Sequence, residues 1–137
     1  MSSAPSTAQR AARAANRPKY YDLNLLNLPP PGLLSIFHRI TGIVMFMFLI
    51  PALLLLLQCT LSGEAGFNQW KSYFAMPPVK LILLGFIWAY LHHLFAGFRY
   101  LLLDIHVGIG KESARTSANV VLVAAVVVTL LIGARIW

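Results

Sequence analysis

Three long runs without a charged side chain govern what this chain can become: Ile40 to Leu57, Leu81 to Phe98 and Ala118 to Ala134. The hydrocarbon core of a bilayer is about 30 Å thick and takes roughly 20 helical residues to cross. Each run reaches that length once its flanks are counted. Lipid accepts a backbone only when its N–H and C=O groups are bonded within the segment, which favours helices here. The expectation is an all-α integral membrane protein with three transmembrane helices, near 33–57, 80–104 and 117–137. None reads as a cleaved signal peptide, because the first begins beyond residue 30 and its apolar run is too long. Residues 1–32 are expected to form a cytoplasmic N-terminal segment, with 1–16 disordered, and residues 33–137 a three-helix membrane anchor domain.

Charge sets the orientation. Charged residues make up 11% of the chain, against 58% hydrophobic, whereas a soluble domain carries about 25% charged residues. Eleven Lys and Arg against four Asp and Glu would suggest a nucleic-acid partner in a soluble protein. Here the cations flank apolar blocks, which points to a lipid surface and to no nucleic acid. Arg10, Arg13, Arg17 and Lys19 precede the first span, and Lys111 and Arg115 lie between the second and third. Three spans place both groups on one side. The other side holds Lys71, Lys80 and Arg135, so the positive-inside bias predicts a cytoplasmic N-terminus. Arg39 and Arg99 lie near the same face. The Ala/Ser/Arg-rich, acid-free residues 1–17 are read as a tail, with a mitochondrial transit peptide as the alternative. A chain opening at Met1 is expected to retain that tail, so a bacterial inner membrane is favoured over a mitochondrial one. The single Cys59 excludes an internal disulfide framework and a thiolate-only metal site.

Punctuation along the chain is clear. Leu28-Pro29-Pro30-Pro31-Gly32 is expected to delay the first helix until Leu33, and Pro51 to kink it. The segment 58–79 is expected to be a loop whose Trp70, Tyr73 and Phe74 form an interfacial aromatic belt. Pro77-Pro78 opens the second helix.

Any chemistry must come from polar side chains at membrane depth, which are costly and are functional candidates by default. Ser35, His38, Arg39 and Gly42 fall at i, i+3, i+4 and i+7, on one helix face. An arginine near a helix end also snorkels to the headgroups, and that reading of Arg39 stays open. On the second span, His93, Gly97, Tyr100 and Asp104 share one face, while His92, Ala96 and Arg99 form a neighbouring stripe. A histidine in lipid faces a partner helix, a cofactor or water, because an unsatisfied imidazole is expensive there. Gly97 removes a side chain where a flat group could approach the backbone. His106, past the helix end, is read as a solvated loop residue. If Asp104 marks the cytoplasmic end, His93 lies roughly 16 Å in, near mid-bilayer, and His38 and Arg39 lie roughly 8 Å in from Leu33. A haem fits that placement, with iron on an imidazole nitrogen and propionates against cationic donors. One chain offers one well-placed histidine, so a second axial ligand is expected from another subunit.

These blocks resemble a known family. Ser35-Ile36-Phe37-His38-Arg39-Ile40-Thr41-Gly42, then His93, Gly97, Arg99 and Asp104, preceded by Arg17-Pro18 and Asp22-Leu23, are similar to the large cytochrome b membrane-anchor subunits of succinate dehydrogenase, respiratory complex II. The resemblance covers about residues 17–137. It implies a three-helix anchor forming part of a haem-binding bundle shared with a second, small anchor subunit. It implies His93 as an axial ligand of haem b, with the other ligand from the small subunit. Ser35 and Arg39 correspond to residues at the ubiquinone site, and His38 and Arg39 to residues contacting haem propionates. Asp104, with Arg99, corresponds to polar residues supporting that end of the second span. Many members carry His where this chain has Tyr100, and the adjacent His92 leaves the choice of ligand open. The implied function is a non-autonomous subunit of succinate:quinone oxidoreductase with no catalytic residue in this chain alone. An iron–sulfur subunit would deliver electrons from a flavoprotein subunit, and ubiquinone would be the substrate reduced. The alternatives are the anchor of a related quinol:fumarate reductase and a cofactor-free small membrane protein.

Overall fold

A computed structural model of the chain describes residues 6–8 and 28–137. Arg10, Arg13, Lys19 and the Arg17-Pro18 and Asp22-Leu23 pairs lie outside the described residues. Within residues 28–137 four helices follow in order: α1, Pro30–Leu61; α2, Glu64–Ala75; α3, Pro77–Asp104; and α4, Lys111–Ile136. Three of them, α1, α3 and α4, are long and apolar enough to cross a membrane. No strand occurs among the described residues.

The first helix starts earlier than the proline run suggests. Pro29 is the extended residue ahead of it (φ −63°, ψ 148°), and Pro30 and Pro31 occupy its first turn. The N–H groups of a first turn have no partner within the helix, so prolines there lose nothing, and their fixed φ already suits the helix. Pro29 then accepts from the N–H groups of Gly32 at 2.9 Å and Leu33 at 3.2 Å. Farther along, Met45–Leu49 form a π-helical turn, closed by the Ile50 N–H donating to Met45 O. It ends two residues before Pro51, whose ring would crowd the carbonyl of Met47 in a regular helix and which brings no N–H of its own.

The segment expected to be a loop is largely helical. α1 continues to Leu61, and α2 occupies twelve residues after a two-residue turn at Ser62 and Gly63. Phe67, Trp70 and Phe74 fall at i, i+3 and i+7, so they form one apolar face. That face meets Leu53, Leu56 and Leu57 at the end of α1. Helical spacing within the aromatic set, rather than its composition, carried the signal. The aromatic residues still cluster, with Trp70 stacking edge-on against Tyr73 at 5.7 Å between centroids.

α3 ends in a Schellman arrangement, with the His106 N–H donating to Leu103 O and the Val107 N–H to Leu102 O, each at 2.9 Å. His106 takes the left-handed conformation this requires (φ 64°) and is exposed. α3 and α4 pack along small residues: Ala89 and Ala96 on one side, Ala118, Ala125 and Gly133 on the other, all buried. Small residues let helix backbones approach closely, which is the main source of helix association in lipid. Their register runs from Arg99 against Ser117 at one end to Leu84 against Gly133 at the other. α1 packs against the same pair through its first half, burying Leu34 and Thr41. Large apolar side chains such as Phe46, Leu54, Leu101 and Leu130 remain exposed around the outside of the bundle. Pro29 to Pro31 lie beside Lys111, Glu112 and Arg115. The start of α1 and the α3–α4 connection thus share one end of the bundle, as three spans require.

Candidate functional site: a histidine pair between the first two spans

The polar residues of the first half of α1 meet those of α3 at a single place. The rings of His38 and His93 stack at 4.1 Å between centroids with planes 12° apart. His93 Nδ1 lies 3.0 Å from the carbonyl oxygen of His38. A carbonyl only accepts, so the hydrogen sits on Nδ1, and a neutral His93 carries its lone pair on Nε2. Nε2 makes no hydrogen bond among the described residues and reaches the surface of the three-span bundle. Thr41 supports the arrangement from below. Its hydroxyl bonds the carbonyls of Phe37 (2.8 Å) and His38 (3.1 Å) and lies 3.4 Å from His93 Nδ1.

One of the two glycines beside the pair permits the approach. A Cβ on Gly42 would stand 3.0 Å from His93 Cε1 and 3.4 Å from Nδ1, too close for the ring as placed. A Cβ on Gly97 would stand 3.9 Å from His38 Nε2, an ordinary contact. The flat group lying over Gly97 in this chain is therefore the His38 ring. His38 Nε2 is buried without a hydrogen-bond partner among the described residues, and so is the Tyr100 hydroxyl. The Tyr100 ring stands 5.1 Å from the His38 ring.

The neighbouring stripe on α3 faces a different way. Ala89, His92, Ala96 and Arg99 are all buried. His92 has no exposed surface, and neither of its nitrogens finds a partner among the described residues. Its ring is held between Phe37 (5.9 Å, edge-on) and Trp88 (5.5 Å). Arg99 turns toward α4, donating from Nε to the Ser117 hydroxyl at 2.9 Å and from one Nη to Ala114 O at 3.0 Å. It is a clasp between spans and does not join the histidine pair. Ser35 is half-buried on α1, one turn before the pair; Arg39 is exposed beside it, and Asp104 is exposed at the end of α3. Among the residues picked out from the sequence, the structure brings together His38, His93, Gly42, Gly97 and Tyr100. Ser35 and Arg39 sit at the margin of that group. Sequence reasoning passed over Thr41 and Trp88. Thr41 was legible as a hydroxyl three residues after His38, placed to bond back onto its carbonyl.

Fold and site together define an all-α membrane protein of three spans with imidazoles packed between the first two. Residues 13–132 match the succinate dehydrogenase/fumarate reductase transmembrane subunit family, and the chain belongs to that family. It is similar to the succinate dehydrogenase cytochrome b556 subunit of Coxiella burnetii, 34% identical over 123 residues, which are 90% of this chain and 98% of that protein. It is likewise similar to the succinate dehydrogenase cytochrome b556 subunit of Paracoccus denitrificans, 30% identical over 119 residues, 85% of this chain and 88% of that one. The chain is a membrane cytochrome b subunit of this family, and so one component of an enzyme complex.

Proposed function

We propose that this chain is the large membrane anchor of a succinate:quinone oxidoreductase, binding haem b jointly with a small anchor subunit and helping to form the site where ubiquinone is reduced. One observation carries the reading: the Nδ1–H of His93 is tied to the His38 carbonyl, leaving a basic Nε2 open at the bundle surface. Metal-ligating histidines characteristically donate their other ring N–H to a carbonyl or carboxylate, which fixes the tautomer and the ring orientation. His92 lacks that anchor and is sealed among aromatic rings. His93 would thus hold the haem iron from this chain, and a group bound at the bundle surface would draw its second ligand from the small anchor subunit. The residues fit such a group in a second respect. His38 Nε2 is a buried, unpartnered polar atom beside it, suited with Arg39 to propionate oxygens.

Haem b, when bound, supplies a one-electron carrier within the membrane. The remaining chemistry belongs to this chain's own residues and to the quinone. Electrons from succinate reach the anchor through the flavoprotein and iron–sulfur subunits. Ser35 and Arg39 face the quinone near the end of the bundle that carries Pro30 and Lys111. The carbonyl oxygens of the quinone gain negative charge as it is reduced, and a hydroxyl and a permanent cation stabilise that charge strongly in a low-dielectric site. Asp104, exposed at the same end of α3, lies where protons enter from the cytoplasm. The N-terminus faces the cytoplasm of a bacterial inner membrane, residues 1–32 form the segment outside the bilayer, and residues 33–137 form the anchor.

The test is the visible spectrum of the purified complex with His93→Leu and with His92→Leu. His93→Leu is expected to abolish or shift the b-type bands while His92→Leu leaves them in place. The reverse pattern overturns the assignment of the ligand, and a wild-type complex without b-type bands overturns the haem reading altogether.

A further inference from the structure

Arg99 is a permanent cation buried in the α3–α4 seam, its guanidinium carbon 5.6 Å from the Tyr100 ring centroid. It is 6% exposed, yet no carboxylate pairs with it among the described residues. Ser117 and Ala114 take Nε and one Nη, and the other Nη makes no hydrogen bond among the described residues. Arg99 also lines a groove between α3 and α4. The groove has two chemically distinct levels. Near the helix ends it is lined by Arg99 with the hydroxyls of Ser113 and Thr116, and deeper by Phe95, Phe98 and Val120. Arg99 lies five residues before Asp104, about 7.5 Å along the helix, and its guanidinium reaches back to Ala114 in the first turn of α4, within reach of the headgroups. The groove points away from the histidine pair: Phe95 and Phe98 lie about 200° and 140° around α3 from His93. A subunit that shares a ligand with His93 therefore approaches the opposite face.

We propose that this groove binds an anionic phospholipid, its phosphate held by the free Nη donors of Arg99 and the Ser113 and Thr116 hydroxyls, and one acyl chain laid along Phe95, Phe98 and Val120. A buried guanidinium without a counter-ion in lipid is costly, and a phosphate presents planar oxygen pairs that match its fork of donors. The apolar wall below selects a lipid over free phosphate, which has nothing to place there. Glu112 on the rim opposes the anion, while Lys111 and Arg115 on either side of it in the first turns of α4 outweigh that single carboxylate.

Arg99 clasps α4, so altering it would disturb the fold as well as the groove. The informative variants are Thr116→Glu, which sets a carboxylate beside the free donors without touching the Ser117 and Ala114 bonds, and Glu112→Gln. The intact complex is delipidated and reconstituted in phosphatidylcholine vesicles carrying spin-labelled phosphatidylglycerol or spin-labelled phosphatidylcholine, and the motionally restricted fraction of each is measured. The wild-type complex is expected to prefer phosphatidylglycerol about fivefold, the contribution of about one cation beside an anionic headgroup. Thr116→Glu is expected to bring that preference close to one, and Glu112→Gln to raise it. A wild-type preference near one, or an undiminished preference in Thr116→Glu, overturns the proposal. The haem spectrum is read in the same samples and stays at its wild-type value, so this outcome is separable from that of the histidine variants.

Discussion

Replacing Gly42 by Ala tests the histidine pair at its tightest contact. The new methyl would stand 3.0 Å from His93 Cε1, where carbon pairs are comfortable only near about 3.5–4.0 Å. The ring must retreat by about half an ångström or more. That retreat stretches the 3.0 Å bond between His93 Nδ1 and the His38 carbonyl to about the limit at which such bonds count. Three terms compete. Alanine gains about 0.5–1 kcal/mol over glycine in a helix interior. Overpacking costs about 1–3 kcal/mol, and weakening the hydrogen bond costs about 0.5–1.5 kcal/mol. The net is a loss of about 0.5–4 kcal/mol, concentrated on the residue read as the haem ligand. Gly97→Ala is the matched control, because its methyl meets His38 Nε2 at an ordinary 3.9 Å. Haem per complex and the thermal midpoint of the purified complex are the measurements. Gly42→Ala is expected to lose haem and melt earlier, and Gly97→Ala to stay near wild type. Equal behaviour of the two variants would refute the reasoning from contact distance.

Three further expectations follow from the same geometry. Arg39→Leu should lower succinate–quinone reductase activity far more than succinate oxidation with an artificial acceptor served by the soluble subunits, and Ser35→Ala should do so more weakly; an unchanged ratio of the two activities at normal haem content would restore the snorkelling reading of Arg39. Ser117→Ala removes one of the two bonds that hold Arg99 to α4 and should cost about 1 kcal/mol, read as a lower melting midpoint with haem retained; an unshifted midpoint counts against the clasp. Expressed without the small anchor subunit, the chain should accumulate poorly or lack haem, and stable haem-replete chain alone would count against a shared ligand.

The three spans were legible because length and absence of charge are enough to define them, and the ends of α1 and α2 were not. The prolines at 29–31 read as helix-breaking in isolation, whereas their effect depends on where in the first turn they fall. Residues 58–79 read as loop because their composition is mixed, while the helical spacing of Phe67, Trp70 and Phe74 went unused. At the site, the one-helix faces were visible: His93 with Gly97 and Tyr100, and His92 with Ala96 and Arg99. Which face meets which neighbour was not, because that depends on the register of two helices. Periodicity could not show that His38 and His93 stack on one another, or that Arg99 turns to Ser117. Nor could it show that the demanding glycine is Gly42, since a glycine's importance lies in the partner across the gap.

The π turn at Met45–Leu49 has a consequence for how the first span can vary. Such a turn takes up an additional residue with little gain in length, and each residue of a helix turns it by about 100°. The half of α1 carrying Ser35 to Gly42 is therefore set in a different phase from the half carrying Leu53 to Leu57. The first half can keep its imidazole aligned on α3 while the second chooses its own face for lipid and for α2. A one-residue deletion within Met45–Leu49 would restore a uniform helix and force the two halves into a common phase. The turn acts as a fixed phase step: it sets the face beyond Pro51 toward α2 while the histidine pair stays aligned on α3.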